Sequence, residues 1–257
     1  MTSAFGYTDY VSDGTIAAGD ESSGLPATNL GERIVQQLWR SGTSTTTYFT
    51  VDFGSAVPIQ LLALFGCTLA SADTVRHRLS AVASGNSELY DSGVVACGVD
   101  PLYGAHADTL TAEVSPRYWR CDIVAASRSV EGYFDIGRAW AGELWEPSAN
   151  FSLGWGEGFD DTAQIDRSRH SGVAFASEGA SFRVIDVTYD VMSEADRTQA
   201  LTIEKALGKR TQFVFMRDTG ALETAMLSRV ASTSMLRQPN DASTARYSKT
   251  YSLQQEL

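Results

Sequence analysis

Apolar and polar residues alternate with a period of two through much of this chain. In Tyr48-Phe49-Thr50-Val51-Asp52-Phe53, the residues Phe49, Val51 and Phe53 share one side, and Tyr48, Thr50 and Asp52 the other. That is the pattern of a strand with one face in a core and one in solvent. Arg117-Tyr118-Trp119-Arg120-Cys121-Asp122-Ile123 alternates in the same way, with Trp119, Cys121 and Ile123 inward. The run Leu61-Leu62-Ala63-Leu64-Phe65 instead is continuous and stops at Gly66, which predicts a strand buried on both faces. Val75 to Ala83 and Tyr133 to Trp140 complete the strands of the first half.

Residues Glu143 to Asn150, with Pro147 and Ser148, break the pattern and read as a boundary between domains. Beyond them, Ile185, Val187, Tyr189 and Val191 alternate against Asp186, Thr188 and Asp190. Further strands are predicted at Gln212 to Met216, Ala225 to Val230 and Tyr247 to Leu253. A single helix is signalled over about 194–207. Ser193 stands at its N-cap with Asp196 three residues on, Ala200, Ile203 and Leu207 form one stripe, and Gly208 suits the exit. The predicted fold is mostly β: an N-terminal β-sandwich over 1–147, then a smaller β-rich domain with one helix over 148–257.

The chain has 257 residues, 43% hydrophobic and 20% charged, the composition of a folded globular protein. Its net charge is −11, and its first lysine is Lys205. Residues 1–147 carry −9 and the remainder −2. Phosphate-binding proteins need clustered Lys and Arg, so nucleic acid is not an expected partner. No apolar stretch is long enough to cross a bilayer as a helix, and membrane insertion is not expected. The N-terminus lacks the basic and apolar regions of a signal peptide, so synthesis in a cytoplasm is expected without export by that route.

Candidate chemistry is sparse. Cys67, Cys97 and Cys121 form no CxxC pair, and Cys67 and Cys121 read as small core residues. None of His77, His106 and His170 lies in a local catalytic pattern; His77, between Arg76 and Arg78, reads as solvent-facing, the other two as loop residues. Asp160 and Asp161 read as turn residues after Phe159, and Glu131 and Asp135 flank aromatic residues without forming a recognisable acid–base pair. Asp9, Asp13, Asp20 and Glu21 are near enough in sequence to hold a cation or to form a solvated acidic loop. Gly154-Trp155-Gly156-Glu157-Gly158 departs from the dinucleotide fingerprint. Trp39, Trp140, Trp145 and Trp155 read as packing residues, the alternative being exposed rings that stack on sugars. No catalytic, cofactor-binding or metal-ligating residue is assigned, and no cofactor is expected.

The segments Leu25-Pro26-Ala27-Thr28-Asn29-Leu30, Leu38-Trp39-Arg40-Ser41, Thr50-Val51-Asp52-Phe53-Gly54 and Pro58-Ile59 with Leu62-Ala63-Leu64-Phe65-Gly66 follow one another in order. Arg117-Tyr118-Trp119-Arg120 and Ile136-Gly137-Arg138-Ala139-Trp140 close the series. Over about residues 22–145 this order resembles a discoidin-type (galactose-binding-like, jelly-roll-like) sandwich of the kind found in distal tail proteins of long-tailed phages. The second domain, where Gly172-Val173 leads into the strands, more loosely resembles β-rich modules of phage tail tips. The resemblance implies a non-catalytic structural protein of a virion's tail tip or baseplate. Such a protein would assemble as a symmetric homo-oligomer with neighbouring tail proteins and support host attachment. The alternative is a carbohydrate-binding module that contacts host-surface glycans, with Trp39 as the residue that would stack on them.

Overall fold

A computed structural model describes residues 2–83, 88–238 and 246–256. Among the described residues it is mostly β, with one α-helix and several antiparallel sheets. By internal contacts the chain divides into two compact units. The first holds the residues up to Pro147 together with Gln212–Leu227, and the second holds Ser148–Thr211 and Ser228–Glu256. The strand Phe213–Met216 pairs antiparallel with Ala4–Gly6, Phe215 opposite Phe5, which places it in the first unit. Pairing over such a separation leaves no local mark in the sequence.

In the first unit, one sheet runs in the order Thr15–Ala18, Thr46–Asp52, Tyr118–Val124, Thr74–Ser80 and Glu88–Asp91, with Val95–Ala96 also paired to Thr74–Ser80. A second sheet has Ile59–Phe65 at its centre, between Arg138–Gly142 and Ala105–Val114. The inward halves of the alternating strands form the core between them. Phe49, Val51, Leu79, Trp119, Cys121 and Ile123 meet Leu62, Leu64, Ala139 and Ala141. Edge-to-face rings fix the middle: Trp39 lies 5.8 Å from Phe49 and 5.5 Å from Phe134, and Phe49 lies 5.0 Å from Trp119.

The strand Ile59–Phe65 is buried on both faces, as its unbroken apolar run predicts. Its other face, Leu61, Ala63 and Phe65, packs with Ala107, Trp140, Val214 and Met216. Two local features differ from expectation. Ala105–Val114 is a ten-residue strand in a stretch where the sequence shows no alternation, because small Ala105 and Ala107 do the packing there. Tyr133 to Trp140 is not one strand but holds Asp135–Ile136 and the start of Arg138–Gly142, separated at Gly137. A Cβ at Gly137 would fall 2.4 Å from the Val35 carbonyl oxygen, so only glycine admits that close backbone approach.

The second unit contains a sheet in the order Met226–Thr233 (from Ser228 on), Tyr247–Gln255, Ser181–Met192 and Gly156–Asp161. Asp160 and Asp161 stand opposite Phe182 and Ser181 in this sheet rather than in a turn, since pairing continues past Phe159. Tyr189 packs edge-to-face on Phe151 at 6.1 Å and on Tyr251 at 6.3 Å. The helix is Glu194–Leu207. Ser193 and Asp196 exchange side-chain and backbone hydrogen bonds across its first turn, and Ala200, Ile203 and Leu207 are its buried stripe. Lys249 is buried to 2% and donates to Glu204 Oε2 on this helix at 2.6 Å. Among the described residues, no helix is long and apolar enough to cross a membrane.

Candidate functional site

The register of the first sheet determines what its outer face presents. Asp52, Tyr118 and Ser80 stand in one row across three strands, and Thr50, Arg120 and Arg78 in the next. Their sequence neighbours Val51, Trp119 and Leu79 point into the core, so these six side chains point out. Together with Val82 and Ala83 they line a pocket of about 220 Å³.

Charge pairs organise this face. Arg117 donates to Asp52 through two parallel bonds, Nε to Oδ1 at 2.9 Å and Nη2 to Oδ2 at 3.0 Å. These bonds hold the Asp52 carboxyl below its ordinary pKa. Arg120 places Nε and Nη2 on Asp122 Oδ1 at 2.9 and 2.6 Å, while Arg78 donates to Asp122 Oδ2. Burial pushes the Asp122 carboxyl up, but the two guanidiniums outweigh it and the net shift is downward. The Arg120 guanidinium lies 3.6 Å above the Tyr48 ring, which fixes its plane. The side chains of Arg120 and Arg78 remain 39% and 24% exposed, within reach of a ligand. The lining offers hydroxyls, guanidinium donors and part of an aromatic ring, but no histidine, cysteine or lysine. Such a surface recognises polar groups and supplies no nucleophile with a base beside it.

The residues singled out in the sequence fall elsewhere. Trp39 is wholly buried in the sandwich core and cannot stack on a sugar, because its alternation partners carry it inward. Trp140 is buried as well, Trp145 stacks on Phe5 at 5.3 Å, and Trp155 meets Phe151 at 5.8 Å. His77 is also inward, not solvent-facing: it follows the period of Val75 and Leu79, and the arginines beside it take the outer face. His106 lies in the Ala105–Val114 strand rather than a loop, and His170 is in an exposed turn.

His77 and His106 meet with Nε2 atoms 3.0 Å apart. Trp119 Nε1–H donates to His77 Nδ1 at 3.3 Å, and His106 Nδ1 lies 2.6 Å from the Cys97 carbonyl oxygen. A carbonyl only accepts and an indole N–H only donates, so the protons have one arrangement. His77 carries its proton on Nε2 and donates it to His106, which carries its own on Nδ1 and donates to Cys97. Both rings are neutral, and burial pushes both pKa values down. His106 also borders a pocket of about 300 Å³ with Cys97 and Asp108, where Tyr90 Oη donates to Asp108 Oδ2 at 2.7 Å.

The remaining carboxylates have partners of their own. Asp9 holds Arg138 and the Val11 amide, Asp20 the Thr43 amide, Glu21 the Ala27 amide, and Asp13 is exposed. Asp135 takes two bonds from Arg40 at 2.7 and 2.8 Å, while Glu131 lies 3.8 Å from Arg128. Glu157, in the glycine-rich stretch, pairs with Arg183. Among the described residues, no three His, Cys, Asp or Glu side chains converge as a metal site. The three cysteines are free thiols, with Cys97 and Cys121 buried. The outer-face pocket escaped sequence reading because its rows join strands far apart in the chain; only the polar half of each alternating strand marked it.

No family model matches the chain, and no curated protein matches it in sequence. Among solved structures, it is similar to the lectin domain of lectinolysin complexed with Lewis B antigen, at 11% identity over 52% of this chain and 95% of that one, TM-score 0.42. It is similar to the family 32 carbohydrate-binding module of Clostridium perfringens NanJ in complex with galactose, at 13% identity over 55% and 99%, TM-score 0.42. A Streptococcus pneumoniae fucose-binding module is similar at 8% identity over 53% and 95%, TM-score 0.43.

Proposed function

We propose that this chain is a non-catalytic saccharide-binding module that uses the outer-face pocket of its sandwich. The observation that carries this reading is the pocket itself, where the Thr50 and Tyr118 hydroxyls stand beside accessible Arg78 and Arg120. Hydroxyl-rich ligands need such convergent donors and acceptors, together with a partly apolar wall. Titration of the whole chain with a panel of host-surface oligosaccharides tests it. Binding that weakens in Tyr118→Ala supports the reading, and no binding across the panel removes it.

A second reading is favoured by a different observation in the second unit. The hairpin of Ile165–Arg167 and Ala174–Ala176, with the strand end before it, exposes Phe159 at 52%, Ile165 at 65%, Val173 at 51% and Phe175 at 64%. Apolar side chains gathered on one exposed excursion are a mark of a protein interface. On this reading the chain is a virion component of a phage tail tip, assembled with copies of itself and with neighbouring tail proteins. Light scattering over a concentration range tests self-assembly. A closed oligomer that dissociates in Phe175→Ser supports it, and a monomer at every concentration counts against it.

A further inference from the structure

We propose that the His77–His106 pair is an acid-released latch between the two sheets of the sandwich, and that protonation opens the pocket beside it. His77 belongs to Thr74–Ser80 of the first sheet and His106 to Ala105–Val114 of the second. Their Nε2 atoms, 3.0 Å apart, therefore join one sheet to the other. Tyr90, in Glu88–Asp91 of the first sheet, makes a second such bridge through its bond to Asp108 of the second at 2.7 Å. Glu88–Asp91 and Ala105–Val114 are each the edge strand of their sheet. In the middle of the sandwich the sheets meet through apolar side chains such as Phe49, Leu62, Leu64 and Trp119. Along this edge, titratable groups join them.

The wiring of the pair leaves no place for another proton. Trp119 Nε1–H points at His77 Nδ1, one proton already fills the space between the Nε2 atoms, and the Cys97 carbonyl holds His106 Nδ1–H. A further proton sets two N–H groups against each other, at Trp119 or between the rings, so one bond of the chain breaks. The core around the pair holds no counter-charge. Burial keeps the Cys67, Cys97 and Cys121 thiols and the Tyr90 hydroxyl protonated. The arginines beside His77 face outward, Arg76 onto Asp91 and Arg78 onto Asp122. On the His106 side, the carboxyls of Asp108 and Glu223 line the pocket of about 300 Å³ with His106, Tyr90 and Cys97. An imidazolium freed from His77 turns to that pocket, where Asp108 attracts it and water reaches it. Separation of the two edge strands is thus how the pair takes up protons.

The test is hydrogen exchange of the full chain read by mass spectrometry between pH 7.5 and 5, corrected for the intrinsic pH dependence of exchange. The closed pair is neutral, and each freed histidine takes up a proton below about 6.5, so the open population grows as the pH falls. Two histidines approach a hundredfold growth per pH unit and one approaches about tenfold. Asp108 works in the opposite sense, because burial raises its pKa, and it cancels between the parent and His77→Gln. Residues 74–80 and 105–108 should lose protection in acid while Thr46–Asp52, at the sheet centre, keeps it. At that edge the parent's opening should grow about tenfold more per pH unit than that of His77→Gln.

Protection that falls together in every strand would mean global unfolding and overturn the latch. Edge protection unchanged in acid, or an equal pH slope in His77→Gln, would overturn it as well. His106→Gln is a second non-titrating variant with the same expectation, should the first not fold. Nitrogen-15 NMR of the parent at pH 7.5 reads the wiring without any variant. The proton should be on Nε2 of His77 and Nδ1 of His106, and any other pattern would overturn the inference.

Discussion

The neutral imidazole pair inside the sandwich predicts a specific acid sensitivity. Replacing His77 with Gln keeps a donor toward His106 Nε2 and an acceptor toward Trp119 Nε1, but removes the titrating group. In the folded protein burial holds both pKa values below the ordinary 6.5. In the unfolded chain each histidine takes up a proton as the pH falls through about 6.5. The unfolded state therefore binds more protons, and stability present above that pH is lost below it. From about pH 7.5 to 5.5 each imidazole contributes a loss of roughly 1 kcal/mol, and the pair roughly 2–3 kcal/mol. Asp108 faces His106, and burial pushes its carboxyl up, which acts in the opposite sense at lower pH. That contribution is common to both proteins and cancels in their difference. Urea unfolding followed by tryptophan fluorescence at the two pH values reads the effect, since Trp119 belongs to the network. The parent should lose roughly 1 kcal/mol more than His77→Gln. Equal losses would refute the assignment of a neutral, proton-ordered pair.

Other substitutions probe the packing. Glu204→Ala strands the buried Lys249 ammonium and should cost about 2 kcal/mol in chemical denaturation, tempered because Glu204 itself is 29% exposed. Lys249→Met removes the charge instead and should stay within about 1 kcal/mol of the parent. In Gly142→Ala the new Cβ would lie 1.7 Å from the Thr8 carbonyl oxygen, so a loss of about 3 kcal/mol or more is expected, read as a lowered melting temperature or insoluble expression. Trp39→Ala opens a cavity between Phe49 and Phe134 and should cost about 3–5 kcal/mol in unfolding measurements, with no change in saccharide affinity for the protein that remains folded.

Strands whose two faces differ in chemistry were legible from sequence. Thr46–Asp52 and Tyr118–Val124 alternate because one face packs and the other meets water, and Ile59–Phe65 does not alternate because both faces pack. The helix was legible because its ends carry their own signals, Ser193 with Asp196 at the start and Gly208 at the exit, where φ is +55°. Ala105–Val114 was not, since alanine at packed positions produces no contrast for periodicity to detect. His77 shows a different limit. Its position in the alternation of Val75 and Leu79 points inward, yet its polarity and its arginine neighbours argue for the surface. What settles it inside is His106, a partner 29 residues away that no local pattern reveals. The pocket has the same character, because Asp52, Tyr118 and Ser80 become one row only through strand register.

Arginine's role in the first unit follows from charge and geometry together. All of its cations are arginines, since the lysines at 205, 209 and 249 belong to the second unit. An arginine matches a carboxylate through a planar fork, so an acidic chain can fix Arg40 on Asp135, Arg76 on Asp91 and Arg117 on Asp52 with defined orientation. Surface pairs of this kind add little stability, so their main effect is to orient the side chains. Asp122 accepts from both Arg78 and Arg120, so one carboxylate orients two guanidiniums on the outer face.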